Sequence, residues 1–246
     1  MLKAVFQSLV FVALSSAAIC VGPNGASGLL VNLGDPKSRM PIAILAPDGK
    51  AFRVLPMQAD IETDPCWLPD GSILFATLDF SQKKSTISQQ RSDGSARRSI
   101  IEFKDRVAFG PTVSPREKTV LFWTLSAEPT GDHRVLQIYA MGLNGGGLRA
   151  FGPDRSWFPR WSPDGSKVAF IRGKDPSKTN SNETETTLNL MNAEGDEVQI
   201  LTHFPGSFSS LAWSPDGEKL AVEGKDQKTG YSHIFLVNQD GANFSS

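Results

Sequence analysis

The sequence predicts an all-β protein, a β-propeller of about five four-stranded antiparallel blades, of which the first and the last are incomplete. Two marks that alternate along the chain predict this fold. The first mark is a Trp-Ser-Pro-Asp-Gly motif with its variants, and its successive copies are 46, 48 and 52 residues apart when aligned on Gly71, Glu117, Gly165 and Gly217. A repeat of this length that contains only strand-like segments is typical of propeller blades.

The second mark is a dipeptide that ends in glycine and usually follows an extended apolar run. It lies 20 to 23 residues ahead of the next first mark, and its copies are Asp48-Gly49, Asp93-Gly94, Asn144-Gly145, Glu194-Gly195 and Asp240-Gly241. Asp-Gly and Asn-Gly are the strongest short hairpin signals. Two marks that keep one phase over four repeats indicate a unit of two linked hairpins.

Each unit is therefore predicted to hold four strands, named a to d from the centre outward. In the unit with the clearest pattern they lie at 158–162, 167–171, 187–192 and 198–202. The near-continuous apolar run of strand b is expected where neighbouring blades cover both faces. Proline, aspartate and glycine in the first mark favour a tight reversal between strands a and b.

The opening unit is predicted to supply strands b, c and d only, at 29–31, 42–45 and 52–55. The Asp48-Gly49 turn fixes their register. Residues 19–28 read as a short polar leader without strand a, because they are mostly small or polar.

The closing unit is predicted to lack most of strand d. Phe244 aligns with the residues where strand d begins in other units, namely Phe52, Leu148 and Val198. Such a domain, over residues 29–246, would be a strained five-bladed ring or an open arc that is part of a larger propeller. Propellers normally protect their strand edges, and a missing inner strand leaves a gap inside a blade, which favours the arc.

The first 18 residues predict a secretory signal peptide. Lys3 precedes an apolar run over residues 4–18, and Ser16-Ala17-Ala18 offers a small-x-small cleavage site. The run is short for a membrane span. We therefore expect a periplasmic or secreted protein, with no integral membrane segment after cleavage; a retained anchor helix is the alternative.

Two segments carry a family resemblance. Residues 161–170 read Trp-Ser-Pro-Asp-Gly-Ser-Lys-Val-Ala-Phe and residues 213–222 read Trp-Ser-Pro-Asp-Gly-Glu-Lys-Leu-Ala-Val. They resemble the WD-repeat-like units of TolB-like propellers, and the resemblance covers nearly all of the chain beyond the signal segment. It implies the fold but no single function, because such units occur in periplasmic partner-binding proteins and in propellers attached to prolyl-oligopeptidase-type peptidases. The motif is incomplete at Leu68 and at Arg116-Glu117, where looser turns are expected.

Charge balance and cysteine count argue against a nucleic-acid partner, a disulfide framework and a zinc site. Lys and Arg number 25 against 26 Asp and Glu, with no basic tail, so nucleic acid is not expected. Of two cysteines, Cys20 lies beside the signal segment and Cys66 alone remains, so neither a disulfide framework nor a zinc site is expected. No cofactor is predicted.

No residue set indicates catalysis. His133, His203 and His233 fall at non-equivalent positions in three units, which argues against a shared metal or a triad. No Gly-x-Ser-x-Gly nucleophile elbow occurs. The repeated aspartates of the first mark are explained by their turn role. The sequence therefore predicts a protein that is not an enzyme.

Binding is expected on the face formed by the b–c and d–a loops, because long polar loops on a rigid scaffold commonly carry function. Trp157 with Arg155, in a d–a connection, are the best candidates, since Trp and Arg are favoured interface anchors. Arg172 and His203 complete the candidate set. Blade packing is the alternative role for Trp157.

Two classes of function stay open. The first is a non-catalytic exported propeller that binds a protein or peptide in the cell envelope through its loop face. The second is enzyme-associated, either a propeller that accompanies a peptidase or a propeller-type hydrolase or lyase that uses loop carboxylates with His133 or His203.

Overall fold

The computed structural model describes residues 20–21, 29–32, 41–46, 48–126, 136–173, 185–226 and 229–243. These ranges hold strands and turns and no helix. The strands are β1 (Cys20–Val21), β2 (Leu29–Asn32), β3 (Ile42–Leu45), β4 (Phe52–Val54), β5 (Ile61–Trp67), β6 (Ser72–Asp79), β7 (Lys84–Arg91), β8 (Arg98–Phe103), β9 (Arg106–Val113), β10 (Thr119–Ser126), β11 (Leu136–Gly142), β12 (Arg149–Ala150), β13 (Ser156–Trp161), β14 (Lys167–Gly173), β15 (Thr186–Asn192), β16 (Gln199–Phe204), β17 (Gly206–Trp213), β18 (Lys219–Asp226) and β19 (Ser232–Asn238).

The strands form five antiparallel sheets that follow chain order. Four sheets have four strands, β1 to β4, β5 to β8, β9 to β12 and β13 to β16, and the fifth has β17, β18 and β19. Inner strands contact one another from blade to blade, β5 with β9, β9 with β13 and β13 with β17. The predicted all-β propeller of about five blades is confirmed.

The opening blade corrects one prediction. Its strands b, c and d lie where the sequence placed them, but the prediction that it has no strand a is wrong. Cys20 pairs with Leu30 and Val21 with Leu29, so a two-residue inner strand completes the sheet. Two residues are too few to show alternation, and this strand forms because β2 offers it an open edge. The signal segment and residues 22–28 of the predicted leader lie outside the described residues.

The a–b turns owe their shape to short-range hydrogen bonds. In the fourth blade the Ser162 hydroxyl donates to Asp164 at 2.6 Å and the Ser166 hydroxyl at 2.8 Å. These hydroxyl donors, with the Ser166 N–H, hold the pKa of Asp164 well below its usual range. The carboxylate is thus a fixed acceptor inside the turn, as the sequence predicted.

The two turns expected to be looser are not loose. Ser114 N–H donates to Thr119 O at 2.8 Å, and the Ser114 hydroxyl oxygen accepts N–H groups from Arg116 and Glu117 in place of the missing aspartate. At Leu68 the turn is instead shorter, since Leu68 N–H donates to Ser72 O, four residues on. In the fourth and fifth blades the equivalent hydrogen bond joins residues five apart, Ser162 to Lys167 and Ser214 to Lys219.

Between blades, strand c supplies an aliphatic residue that faces the following blade. Ile87, Ile138 and Leu188 hold this position in the second, third and fourth blades, and each is 0% exposed. Ile234 holds it in the fifth blade and is 69% exposed. The last blade therefore presents an uncovered apolar face within the described part of the chain.

Closure of the ring stays a prediction. The strand at Leu29 is hydrogen-bonded to β1 and β3 of its own blade. An open arc would be contradicted if this strand paired with the last blade. The pairing found here, within its own blade, does not contradict it. Phe244, on which the argument for a missing strand d rests, lies outside the described residues.

Glycines at the c–d turns serve two needs at once. Gly145 has a φ of +82°, in the left-handed region that favours glycine. It also packs against the outer strand of the preceding blade, where a β-carbon would lie 2.6 Å from the Ile100 carbonyl oxygen. The hairpin signal in the sequence thus also marks the contact between blades.

Gly145→Ala should therefore cost more stability than a change that only strains the backbone. Gly147, in the same turn, has a φ of +69° and no atom within 4 Å of a β-carbon. Gly147→Ala should cost about 1–2 kcal/mol from the left-handed backbone, and Gly145→Ala about 1–3 kcal/mol more from crowding. Urea unfolding of both variants measures this difference; equal losses would show that the blade contact at Ile100 imposes no constraint.

Candidate functional site

The four candidate binding residues lie together at one end of the fourth blade. Arg155 is in the connection between β12 and β13, Trp157 is in β13, Arg172 in β14 and His203 in β16. This end carries the b–c and d–a connections, opposite the tight turns.

Strand pairing sets the spacing of this site. Ser156, Arg172, Thr187 and His203 are directly paired across the four strands, in one row. Since neighbouring strands lie about 4.8 Å apart, the backbones of Arg172 and His203 are about 10 Å apart. Directly paired residues share a face of the sheet, so both side chains project from the same side of the blade.

Trp157 corrects part of the prediction, because it lies inside inner strand β13 and not ahead of it. It pairs with Ile171, and its ring packs on Gly173, where a β-carbon would lie 3.1 Å from the ring. The Gly173 N–H donates to Arg155 O at 3.0 Å and extends the pairing beyond Trp157. The half-buried side chain packs against the core, so it contributes to blade packing.

Arg172 is held by the d–a connection. Its guanidinium donates to Asp154 through Nη2 to Oδ1 at 3.0 Å and through Nε to the backbone oxygen at 3.2 Å. Both side chains are largely exposed, and such surface pairs contribute little to stability. The contacts fix the direction of the guanidinium and leave other N–H groups facing solvent.

His203 forms an exposed pair with Glu185, which directly precedes β15. Its Nδ1 lies 3.1 Å from Glu185 Oε1, and its side chain is 63% exposed. His233 lies in β19 of another blade, and His133 lies outside the described residues. No nucleophile contacts His203 among the hydrogen bonds of the described residues.

The sequence reasoning missed the acidic partners and the bulge. Asp154 and Glu185 come from the flanking connections, and no spacing rule links them to their basic partners. A register shift between Trp157 and Arg160 bends the inner strand, with Phe158 at a φ of +52°. Proline inside a strand marks such bulges, so Pro159 was a readable signal.

Two negative findings hold for the described ranges. No three His, Cys, Asp or Glu side chains there are arranged to hold a metal ion. The same ranges contain no helix long and apolar enough to cross a membrane.

Comparison with curated proteins gives a short match. No family model matches the chain. Over 71 residues the chain is 41% identical to the uncharacterized peptidase YuxL of Bacillus subtilis, a match that covers 29% of this chain and 10% of that protein. The chain thus spans a small part of this relative's length.

Solved structures give longer matches. The putative TolB from Agrobacterium tumefaciens matches with a TM-score of 0.71 and 19% identity over 93% of this chain and 79% of that one. TolB from Acinetobacter baumannii matches with a TM-score of 0.64 and 24% identity over 96% of this chain and 54% of that one. At these identities the likeness concerns the fold.

Proposed function

We propose that this chain, which has the fold of the TolB-like β-propellers, is an exported binding module without chemistry of its own. It holds a protein or peptide partner of the cell envelope at its b–c and d–a loop face. The observation that carries the proposal is the placement of Arg155, Trp157, Arg172 and His203 at the loop end of the fourth blade, with Arg172 and His203 on one face of its sheet and Trp157 on the other.

The arrangement suits recognition of a polypeptide. The fourth blade is a four-stranded sheet whose pairing fixes the backbone of these side chains, so little order is lost on binding. Arg172 and His203 alternate with Asp154 and Glu185. A surface with both signs of charge selects a partner of complementary pattern more than it adds raw affinity.

Export rests on the sequence. The short apolar run after Lys3, followed by small residues, is typical of a signal peptide. Expression in a bacterial host, followed by N-terminal analysis of the envelope fraction, should find a chain that begins near residue 19. Full-length chain in the cytoplasm would contradict export.

Site-directed crosslinking tests the binding face. A photoreactive residue at position 155 should crosslink one defined envelope protein, and Arg172→Glu should abolish the product because it reverses the charge beside Asp154. Arg116, exposed on the opposite turn face, gives the matched control, and Arg116→Glu should leave the product unchanged. Equal products from probes at 155 and 116 would contradict a specific loop face.

The enzyme-associated alternative is favoured by the 41% identical stretch shared with an uncharacterized peptidase, of which the match covers 10%. The purified chain should turn over neither peptide nor oligosaccharide substrates if it only binds. Turnover that is lost in His203→Ala would replace the binding proposal with this alternative.

A further inference from the structure

A second concave site lies on the opposite face of the propeller, between the second and third blades. This turn-face groove has a volume of about 560 Å³, and its lining includes Leu68, Asp70, Gln89, Arg98, Lys118 and Leu143. The volume falls within the usual range for small-ligand sites. No part of the loop-face site contributes to it.

A short side chain at the start of strand b leaves the groove open in the second blade. Ser162 N–H donates to Lys167 O in the fourth blade, and Leu68 N–H donates to Ser72 O in the second, so Ser72 stands where Lys167 stands. The Lys167 ammonium crosses to the next blade and donates to Gln239 Oε1 at 3.1 Å. Serine is too short to make that crossing, and the space stays open.

A chain of hydrogen bonds holds Arg98 at the groove. Its Nε and Nη2 donate to Gln89 Oε1 at 3.0 and 2.7 Å. Gln89 Nε2 donates to the Ser72 hydroxyl at 2.7 Å, and that hydroxyl donates to Asp70 Oδ1 at 2.6 Å. A guanidinium has five N–H donors, so this fixed group keeps donors for a ligand.

The charge of the groove is basic. Arg98 and Lys118 line it from two blades, and the one acid, Asp70, is engaged by Ser72. The Ser72 hydroxyl and N–H lower the pKa of Asp70, so it stays an ionised acceptor inside its own turn. Asn144, on the third blade, adds an amide at the rim.

The equivalent interface between the fourth and fifth blades lacks both cations of the groove. Pairing and turn positions place Leu190 where Gln89 stands and Gln199 where Arg98 stands. Glu218 takes the place of Lys118, because the two backbone oxygens have equivalent partners. The Leu143 N–H donates to Lys118 O, and the Gln239 N–H donates to Glu218 O. Arginine stands at the Arg98 position in the first and third blades too, as Arg53 and Arg149, so the groove between the second and third blades is distinguished by Arg98 together with Gln89 and Lys118.

The walls of the groove are apolar. Leu68, Pro69 and Leu143 line it, and Leu68 is buried. Arginine pairs with carboxylates through two parallel hydrogen bonds, a strong and directional contact. A ligand that fits both features carries a carboxylate beside an aliphatic group.

We propose that the turn-face groove binds an organic carboxylate next to an aliphatic side chain, with Arg98 as its main partner and Lys118 as a second cation. Two peptide sources have this chemistry, a C-terminal carboxylate and an acidic side chain. The inference does not rest on the proposed loop-face function.

Titration of the isotope-labelled chain by NMR tests the proposal. N-acetyl-leucine, which has a terminal carboxylate, should shift the side-chain signals of Gln89 and Arg98 with saturation, and N-acetyl-leucinamide should not. N-acetyl-glutamic acid α-amide supplies the side-chain source, and the tighter of the two carboxylates identifies the source. Equal binding of the uncharged amide, or no saturable shift by any probe, would overturn the proposal.

Variants locate the site. Arg98→Gln should weaken binding of the carboxylate about tenfold or more, as expected for a charged hydrogen bond. Lys118→Gln changes an exposed side chain, so it should leave the fold intact even if Arg98→Gln unfolds the protein. It should also weaken binding. Arg116→Gln, on the same face outside the groove, should leave affinity unchanged. Unchanged affinity in both groove variants would contradict the assignment.

Discussion

Trp161→Ala should lower the free energy of unfolding by about 3–5 kcal/mol, the range for truncating a buried large aromatic side chain. Trp161 closes the inner strand of the fourth blade opposite Val168 and is 9% exposed. Its ring lies 6.4 Å from that of Phe151, in the outer part of the preceding blade. Truncation would open a cavity between two blades, and thermal or urea unfolding measures its effect.

Trp157→Ala is the matched comparison, four residues earlier in the same strand. It should cost less stability, because the Trp157 side chain is only partly buried against the core. It should reduce crosslinking to the partner more than Trp161→Ala does. Equal thermal destabilisation would assign Trp157 to the core and remove it from the binding surface.

Arg97→Met should cost about 3–5 kcal/mol, the penalty for leaving a buried charge without its partner. Arg97 Nη1 lies 2.6 Å from Glu62 Oε1, with side-chain exposures of 13% and 0%. The same carboxylate oxygen accepts the Gln58 N–H at 2.9 Å. Methionine retains much of the contact with the Phe75 ring, over which the guanidinium lies at 4.9 Å.

A double change separates charge from packing. Adding Glu62→Gln to Arg97→Met should recover part of the lost stability, because the carboxylate that lost its partner is replaced by a neutral amide. Arg172→Met, which breaks the exposed pair with Asp154, should cost less than about 1 kcal/mol. Equal losses for the buried and the exposed pair, measured by urea unfolding, would show that burial does not decide the effect.

Much of the fold was predictable because its turns are encoded locally. Ser162, Asp164 and Ser166 are neighbours in sequence and bond one another in the structure. Proline, aspartate and glycine therefore specify the reversal wherever the motif stands. The order of the strands followed, since a chain of short hairpins has few alternative arrangements.

The candidate site was predictable only as a region. The loop lengths placed Arg155, Arg172 and His203 at one end of a blade, and the structure agrees. The position of Trp157 inside β13 was not readable, because backbone pairing through Gly173 extends the strand beyond the aromatic run. The acidic partners of Arg172 and His203 come from separate connections whose placement is a tertiary property.

The blades, the phase of their turns and the face that carries long loops could be predicted, since each follows from residues within a few positions of one another. The contacts between blades could not. The Glu62–Arg97 pair joins residues 35 apart, the fifth blade exposes Ile234 where others bury its equivalents, and Arg98 and Lys118 line one groove from two blades. Contacts between blades depend on how two sheets meet, and no local propensity specifies that geometry.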